Sequence, residues 1–255
     1  AREKQSQEIA YQAALEGIVL LENKDRALPL RPGRIALYGA GAERTVKGGT
    51  GSGEVNERHS VSIRGGLESN GFEICSEAWL RDYDREYRAI FDNAEKIKLP
   101  ELADINIMDH LPMLPIGREI TQADVENSGC ETAVYVVARQ AGEGADKKLE
   151  KGEFDLSPVE IANIRHVASS YKKSVLIINA GSYMNLSSIE DCGLSALIFY
   201  CQQGMQGGRA LADLLCGKVS PSGKLTDTWA KTYEDIPAGE DFSYLSGDLT
   251  QEYYR

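Results

Sequence analysis

The chain contains no apolar run near the ~20 residues that a membrane-spanning helix requires. Its 255 residues include only three histidines, and no two of them are spaced as a metal-binding pair. The five cysteines are odd in number and include no C-x-x-C pair, so neither a disulfide framework nor a zinc site is indicated. The charged first residues also lack the apolar stretch of a secretory signal. We therefore expect reduced thiols, a cytoplasmic location, and no membrane, metal or other cofactor.

The chain also lacks the excess of basic residues that is typical of nucleic-acid-binding proteins. It has 28 Lys and Arg against 39 Asp and Glu, which gives a formal net charge of −11. A surface of this sign repels nucleic acid and anionic membranes, and it suits a neutral or cationic small substrate better. Hydrophobic residues make up 42% and charged residues 26%, values that are ordinary for a globular protein.

Apolar strand patterns alternate with helical patterns along the chain. Ser157, Pro158 and Glu160 form a helix start with a cap, a first-turn proline and a capping-box glutamate. Alternation of this kind predicts a three-layer α/β/α sandwich with a mostly parallel sheet. We expect one domain over residues 1–255, with an N-terminal helix over 5–22 and an irregular insertion at about 80–118. The predicted strands cover residues 35–38, 72–74, 132–138, 174–179 and 194–200, and later helices cover 61–70, 157–171 and 207–216.

A glycine-rich loop follows the predicted strand at residues 35–38. Its first part, residues 39–44, partly matches a dinucleotide-binding fingerprint, but Arg44 stands where Gly or Ala is required and no helix start is evident. Its second part, residues 47–53, lacks the Gly-Lys-Ser/Thr end of a phosphate-binding loop. Four glycines there fit either a plain turn or close approach of the backbone to a ligand, and composition alone does not separate these readings.

Glu143 is a candidate general acid. It lies between two glycines in the charged loop that follows the predicted strand at residues 132–138. A general acid needs a raised pKa, which partial burial or a nearby carboxylate can provide. The alternative is a solvated charged loop. Because ligands of parallel sheets bind beyond the carboxyl ends of strands, we expect this loop and the glycine-rich loop to share one edge.

Five segments, in order, resemble the α/β-sandwich domain of glycoside hydrolase family 3. Each motif alone is modest, whereas the five in this order are specific, and the resemblance covers nearly the whole chain. The segments are EGIVLLEN at residues 16–23, KGGTGSG at 47–53, GEGADK at 142–147, QGMQGG at 203–208 and PSGKLT at 221–226.

The resemblance implies a retaining β-glucosidase or a related exo-acting enzyme that uses two carboxylates. A nucleophilic aspartate on a TIM-barrel domain would form the glycosyl-enzyme, and Glu143, in the family's Gly-Glu-Gly loop, would be the acid/base. Lys147 stands where Arg is common in the family, which preserves the charge. The implied partners are a glycoside or small oligosaccharide and the barrel domain. The implied substrate-binding residues are Lys47, Gly48, Gly49, Thr50, Gly51, Ser52 and Asp146.

The family's barrel and its Ser-Asp-Trp nucleophile motif have no counterpart in this chain. Residues 226–229 echo that motif but match a segment of the sandwich domain instead. We therefore expect that the 255 residues are part of a longer enzyme, in a layout with the sandwich before the barrel, and that this part alone is inactive. The alternatives are a non-catalytic carbohydrate-binding module, a flavodoxin-like nucleotide-binding domain, and a scaffold that only shapes the barrel's cleft.

Overall fold

The computed structural model describes residues 2–50, 57–92, 113–140 and 151–236. These residues form six strands and seven α-helices, interrupted by short 3-10 turns. The strands are β1 (Val19–Asn23), β2 (Arg34–Tyr38), β3 (Glu73–Ile74), β4 (Thr132–Ala138), β5 (Lys173–Asn179) and β6 (Ala196–Phe199). The helices are α1 (Arg2–Gly17), α2 (Ala40–Glu43), α3 (Ile63–Ser69), α4 (Glu77–Phe91), α5 (Gln122–Ser128), α6 (Pro158–Ser170) and α7 (Gly207–Leu215).

The strands form one sheet in the order β1-β6-β5-β4-β2-β3. All neighbouring pairs are parallel except β1 and β6, which are antiparallel and contain a register shift between Leu20 and Glu22. The two central strands, β4 and β5, are buried from their second residue to their last. Continuous apolar strands of this kind belong to parallel sheets with helices on both faces, so the predicted α/β/α sandwich is confirmed.

In one helical layer α7 packs against both α1 and α3. Helices α4 and α5 pack against β2, and α6 packs against β4 and β5. Helices α3 and α7 approach each other closely because glycines face each other at the crossing. A Cβ atom on Gly208 would lie 2.0 Å from the Ser62 carbonyl oxygen, and one on Gly66 would lie 2.0 Å from the Gly208 carbonyl oxygen. The neighbouring Gly65 has more room, since its nearest such contact is the Ser62 hydroxyl at 3.4 Å.

Arg118 joins helices α4 and α5 through two carboxylates. Its guanidinium donates two hydrogen bonds to Asp124, at 2.7 and 2.8 Å, and one to Asp82 at 2.8 Å. Asp124 also accepts from the backbone of Thr121, which caps α5. The Arg118 hydrogen bonds are the main reason that the pKa of Asp124 falls to about 2.

Two predicted boundaries are wrong. The helix predicted over 5–22 ends at Gly17, and residues 19–23 form β1, because an apolar segment beside β6 gains more from sheet pairing than from continuing the helix. The insertion predicted at about 80–118 is regular over 80–91, where Leu80 and Tyr83 are buried on helix α4. Residues 93–112 lie outside the described residues, and residues 113–121 contain no helix or strand.

Candidate functional site

The loops after β2, β4, β5 and β6 lie at one edge of the sheet, because these strands are parallel to one another. The glycine-rich loop follows β2, and the loop that begins at Arg139 follows β4, the neighbour of β2. Both loops therefore begin at the same edge, as predicted. This carboxyl edge is where open α/β sheets bind their ligands.

The first glycines of the loop after β2 allow its backbone to pack closely against β4. Gly39 has a φ of 93°, and a Cβ atom there would lie 2.3 Å from the Val136 carbonyl oxygen. Contrary to our expectation a helix begins here, but α2 is only four residues long. Arg44 pairs with Asp84 at 2.5 Å, and its guanidinium lies 4.0 Å from the centre of the Tyr87 ring. The backbone approach to β4 thus accounts for the partial fingerprint without a nucleotide.

Asn179, the last residue of β5, holds the glycine-rich loop in place. Its buried side chain accepts a hydrogen bond from the Val46 amide and donates one to the Val46 carbonyl, each at 2.7 Å. The same amide nitrogen also donates to the carbonyl of Cys201, at 2.7 Å. The Gly204 amide donates to the Lys47 carbonyl at 2.8 Å. The loops after β2, β5 and β6 are therefore tied together beneath residues 47–50.

A cavity of about 170 Å³ lies beside this loop. It is lined by residues 44–50 together with Tyr87, Leu114 and Gln140. Lys47 forms an ion pair with Glu57, whose pKa is lowered chiefly by the hydrogen bond from Lys47. Of the predicted substrate-binding residues, Lys47, Gly48, Gly49 and Thr50 line the cavity, whereas Gly51 and Ser52 lie outside the described residues.

The proposed acid, Glu143, and Asp146 also lie outside the described residues, which stop at Gln140 and resume at Lys151. The residue before that gap is fixed at the cavity, because the Gln140 side-chain carbonyl accepts a hydrogen bond from the Leu114 amide at 2.7 Å. The chain that carries Glu143 therefore leaves the described structure at the lining of the cavity that Lys47 also borders.

Arg139 connects the two sides of that gap. Its guanidinium forms a bidentate pair with Glu160 at 2.6 and 2.7 Å, and its Nε donates to the Glu153 carbonyl at 3.2 Å. Arg139 is 6% exposed and Glu160 only 2%. Glu160 also accepts from the Ser157 amide at 2.8 Å, so the predicted capping box of α6 is confirmed. Sequence reasoning assigned Glu160 to the cap alone and missed its pairing with Arg139, 21 residues away.

Aromatic side chains form a second feature near the same edge. Phe154 meets the rings of Tyr183 and Tyr233 edge-on, each at 5.8 Å between centroids. Trp229 stacks on Tyr183 at 5.7 Å and meets Phe199 edge-on at 5.0 Å. These five residues come from four distant parts of the chain, so no local spacing in the sequence indicates the cluster.

Of residues 226–229, which echo the family's nucleophile motif, Trp229 packs in this aromatic cluster and residues 226–228 are exposed. Asp227 is exposed, and its carboxylate accepts a hydrogen bond from the hydroxyl of the neighbouring Thr226 at 3.1 Å. Within the described ranges, no group of three or more His, Cys, Asp or Glu side chains could hold a metal ion. No helix of those ranges is long and apolar enough to cross a bilayer.

Residues 18–254 match the sequence profile described as glycosyl hydrolase family 3 C-terminal domain. The chain is 32% identical to beta-glucosidase A of Butyrivibrio fibrisolvens over 97% of its own length and 31% of that protein. It is 29% identical to a beta-glucosidase of Ruminococcus albus, over 96% of its own length and 25% of that protein.

Solved structures of beta-glucosidases are also similar to this chain. Beta-glucosidase 3B of Thermotoga neapolitana, in complex with glucose, superposes with a TM-score of 0.77 at 33% identity, over 92% of this chain and 32% of that one. A beta-glucosidase of Paenibacillus barengoltzii gives a TM-score of 0.79 at 30% identity, over 93% and 25%. The chain thus spans between a quarter and a third of the length of these relatives.

Proposed function

This chain belongs to glycosyl hydrolase family 3, as its C-terminal domain, and from that membership we propose that it carries the acid/base of a retaining β-glycosidase of the β-glucosidase type. The observation that carries the proposal is the placement of two segments at one cavity. Lys47–Thr50 line it, and the chain leading to Glu143 departs from it at Gln140. The substrate would be a terminal β-linked sugar of a glycoside or small oligosaccharide.

In the proposed reaction Glu143 acts twice. It first donates its proton to the glycosidic oxygen, so that the bond from the anomeric carbon to that oxygen breaks and the aglycone leaves as an alcohol. A carboxylate nucleophile attacks the anomeric carbon from the opposite face and forms a glycosyl-enzyme. Glu143, now ionised, takes a proton from water as that water attacks the anomeric carbon and releases the nucleophile. Retention requires the two carboxyl groups to lie about 5–5.5 Å apart.

The nucleophile would come from a TIM-barrel domain of the same enzyme. Support comes from the length of the relatives, of which this chain covers 25% to 32%, and from the absence of the nucleophile motif in the sequence. Lys47, the glycine backbone of residues 48–52, the Thr50 and Ser52 hydroxyls and Asp146 would bind the sugar hydroxyl groups at the interface with that domain. Hydrogen-bond donors and acceptors of this kind orient a neutral, polar ligand.

We further propose that the enzyme works in the cytoplasm. All five cysteines are free thiols, which fits a reducing compartment.

The test is hydrolysis of an aryl β-glucoside by this chain alone, compared with its Glu143→Gln variant. The expected result is no turnover by either protein, since the nucleophile is supplied from outside these residues. Turnover by the chain that disappears in the variant would show that both carboxylates lie within the 255 residues, and the proposed division of the active site would be wrong.

A further inference from the structure

The amino edge of the sheet, opposite the carboxyl edge described above, contains a larger cavity of about 750 Å³. Residues at the starts of β2, β4 and β5 contribute to its lining, namely Arg34, Thr132 and Lys173. Its volume is within the range of roughly 300–1,000 Å³ that small-molecule sites occupy. The proposed glycosidase activity makes no use of this cavity.

The lining is strongly basic in a protein that is acidic as a whole. Among the charged residues that line it, five are cationic and one is acidic, which gives a formal local charge of 5 − 1 = +4, against −11 for the whole chain. These residues are Arg26, Arg31, Arg34, Lys172, Lys173 and Glu131. The attraction of an anion to this cavity is therefore local, because the net charge of the molecule repels anions.

Two of the cations are anchored by the fold. The Arg34 guanidinium donates to the Ser128 carbonyl at 3.0 Å, and the Lys173 ammonium donates to the Ala27 carbonyl at 3.1 Å. The carbonyl partners hold both side chains in place. Within the described residues the charge of Lys173 has no acidic partner, whereas Arg34 also lies 4.0 Å from the Glu73 carboxylate. Each cation is thus positioned before a ligand arrives, which lowers the entropy lost on binding.

Arg26 and Arg31 have no hydrogen bond or ion pair with any residue of the ranges that the structure describes. Their donors are therefore available to a ligand. Arg26 also has a φ of 54° and follows Asp25 at 49°, so two successive non-glycine residues adopt the left-handed region. Such backbone is unfavourable for residues with a side chain and is concentrated at functional sites.

We propose that this amino-edge cavity binds a small polyvalent oxyanion, such as a polyphosphate or a polycarboxylate. Arginine binds the oxygens of either group in a bidentate manner, and two arginines with unoccupied donors face the cavity beside the two anchored cations. Among the described residues, the uncharged part of the lining is largely aliphatic and proline and includes no aromatic ring on which a nucleobase could stack. The ligand is therefore recognised by its charge and its oxygen atoms rather than by a base.

The test is titration calorimetry of this chain with inorganic tripolyphosphate and, in a second arm, with citrate. We expect binding of one ion per chain that weakens as salt is added, because the contacts are electrostatic. The arm that binds more tightly identifies phosphate or carboxylate as the preferred group. Failure of both ions to bind at millimolar concentration would overturn the proposal.

Substitutions test whether the ion binds in this cavity. The double change Arg26→Gln and Arg31→Gln is expected to weaken the preferred ion at least about tenfold, since two charge-assisted partners are lost. The control, Arg85→Gln with Lys231→Gln, removes the same charge from exposed side chains that do not line the cavity, and should stay within about twofold. Equal weakening in both double variants, or none in the first, would show that the cavity is not the site.

A glycine substitution separates binding from folding. Arg26→Gly relieves the left-handed backbone, so it should raise the midpoint of thermal unfolding while it weakens the preferred ion. A folded Arg26→Gly variant that binds as tightly as the unchanged chain would contradict the role of Arg26.

Discussion

The buried pair of Arg139 and Glu160 is expected to stabilise the fold only while both partners are present. Arg139→Met leaves the Glu160 carboxylate, which is 2% exposed, without the two donors now at 2.6 and 2.7 Å. An uncompensated buried charge costs about 3–5 kcal/mol of unfolding free energy. We expect Arg139→Met to cost this much, because within the described residues the Ser157 amide is then the only hydrogen-bond donor left to the carboxylate.

A double-variant cycle isolates the electrostatic part of this loss of unfolding free energy. Glu160→Gln keeps a side chain that can close the capping box of α6, but it removes the charge. Arg139→Met combined with Glu160→Gln leaves no buried charge, so it should cost only about 1–2 kcal/mol, the loss of hydrogen bonds to the Ala138 and Glu153 carbonyls. The combined variant is therefore more stable than Arg139→Met alone.

The assay is urea unfolding, followed by fluorescence of Trp79 and Trp229. The control is Arg165→Met, which breaks an exposed ion pair with Asp191 and should cost less than about 1 kcal/mol. A cost below about 1 kcal/mol for Arg139→Met, or a combined cost equal to the sum of the single costs, would refute the reasoning.

Three further predictions rest on packing, hydrogen bonding and titration. Gly208→Ala on α7 should cost at least about 1–3 kcal/mol by forcing α3 and α7 apart. Gly65→Ala on α3, where a Cβ atom has room, should be neutral or stabilising, and thermal unfolding of both variants checks this. Asn179→Ala should cost about 2–4 kcal/mol and expose the Val46 amide to faster hydrogen exchange, and unchanged protection would contradict its anchoring role. The lowered pKa of Asp124 means that its ionised form is favoured by folding, so its stabilising effect is present above about pH 4 and is lost as the pH falls towards 2. Between about pH 4 and 2, the free energy of unfolding of Asp124→Asn should fall by about 1–2 kcal/mol less than that of the unchanged chain. An identical acid transition in both proteins would count against the pairing with Arg118.

The sequence was most informative where local chemistry and tertiary structure agree. The buried runs of β4 and β5 contain only strand-compatible apolar residues at their centres, and the start of α6 carries its own cap. In both cases the signal lies within a few consecutive residues. The mostly parallel sheet followed from the same pattern, and with it the shared edge at which the two loops begin, whereas the order of the strands was not predicted.

Contacts between residues that are distant in the sequence could not be predicted from it. The residues of β1 have a helical spacing, and only the presence of β6 makes them a strand. The pairing of Arg139 with Glu160, and the amino-edge cavity, depend on which loops the fold brings together. The glycines at 39 and 41 partly match a ligand motif in the sequence, but in the structure they let the backbone pass close to β4, a contact that a single sequence does not reveal.

The most direct test of the account is azide rescue in the full enzyme that contains this chain, with two β-glucosides as substrates, one with a poor leaving group and one with a good leaving group. Glu143→Gln should lower turnover of a substrate with a poor leaving group by about 10²–10⁴-fold, since general acid catalysis is lost. With a good leaving group, added azide should restore turnover and yield the β-glycosyl azide, because azide needs no general base. The control Glu153→Gln should retain activity. Full activity of Glu143→Gln would contradict the assignment of Glu143. The assignment would also be contradicted if azide failed to rescue Glu143→Gln but rescued a variant of another carboxylate.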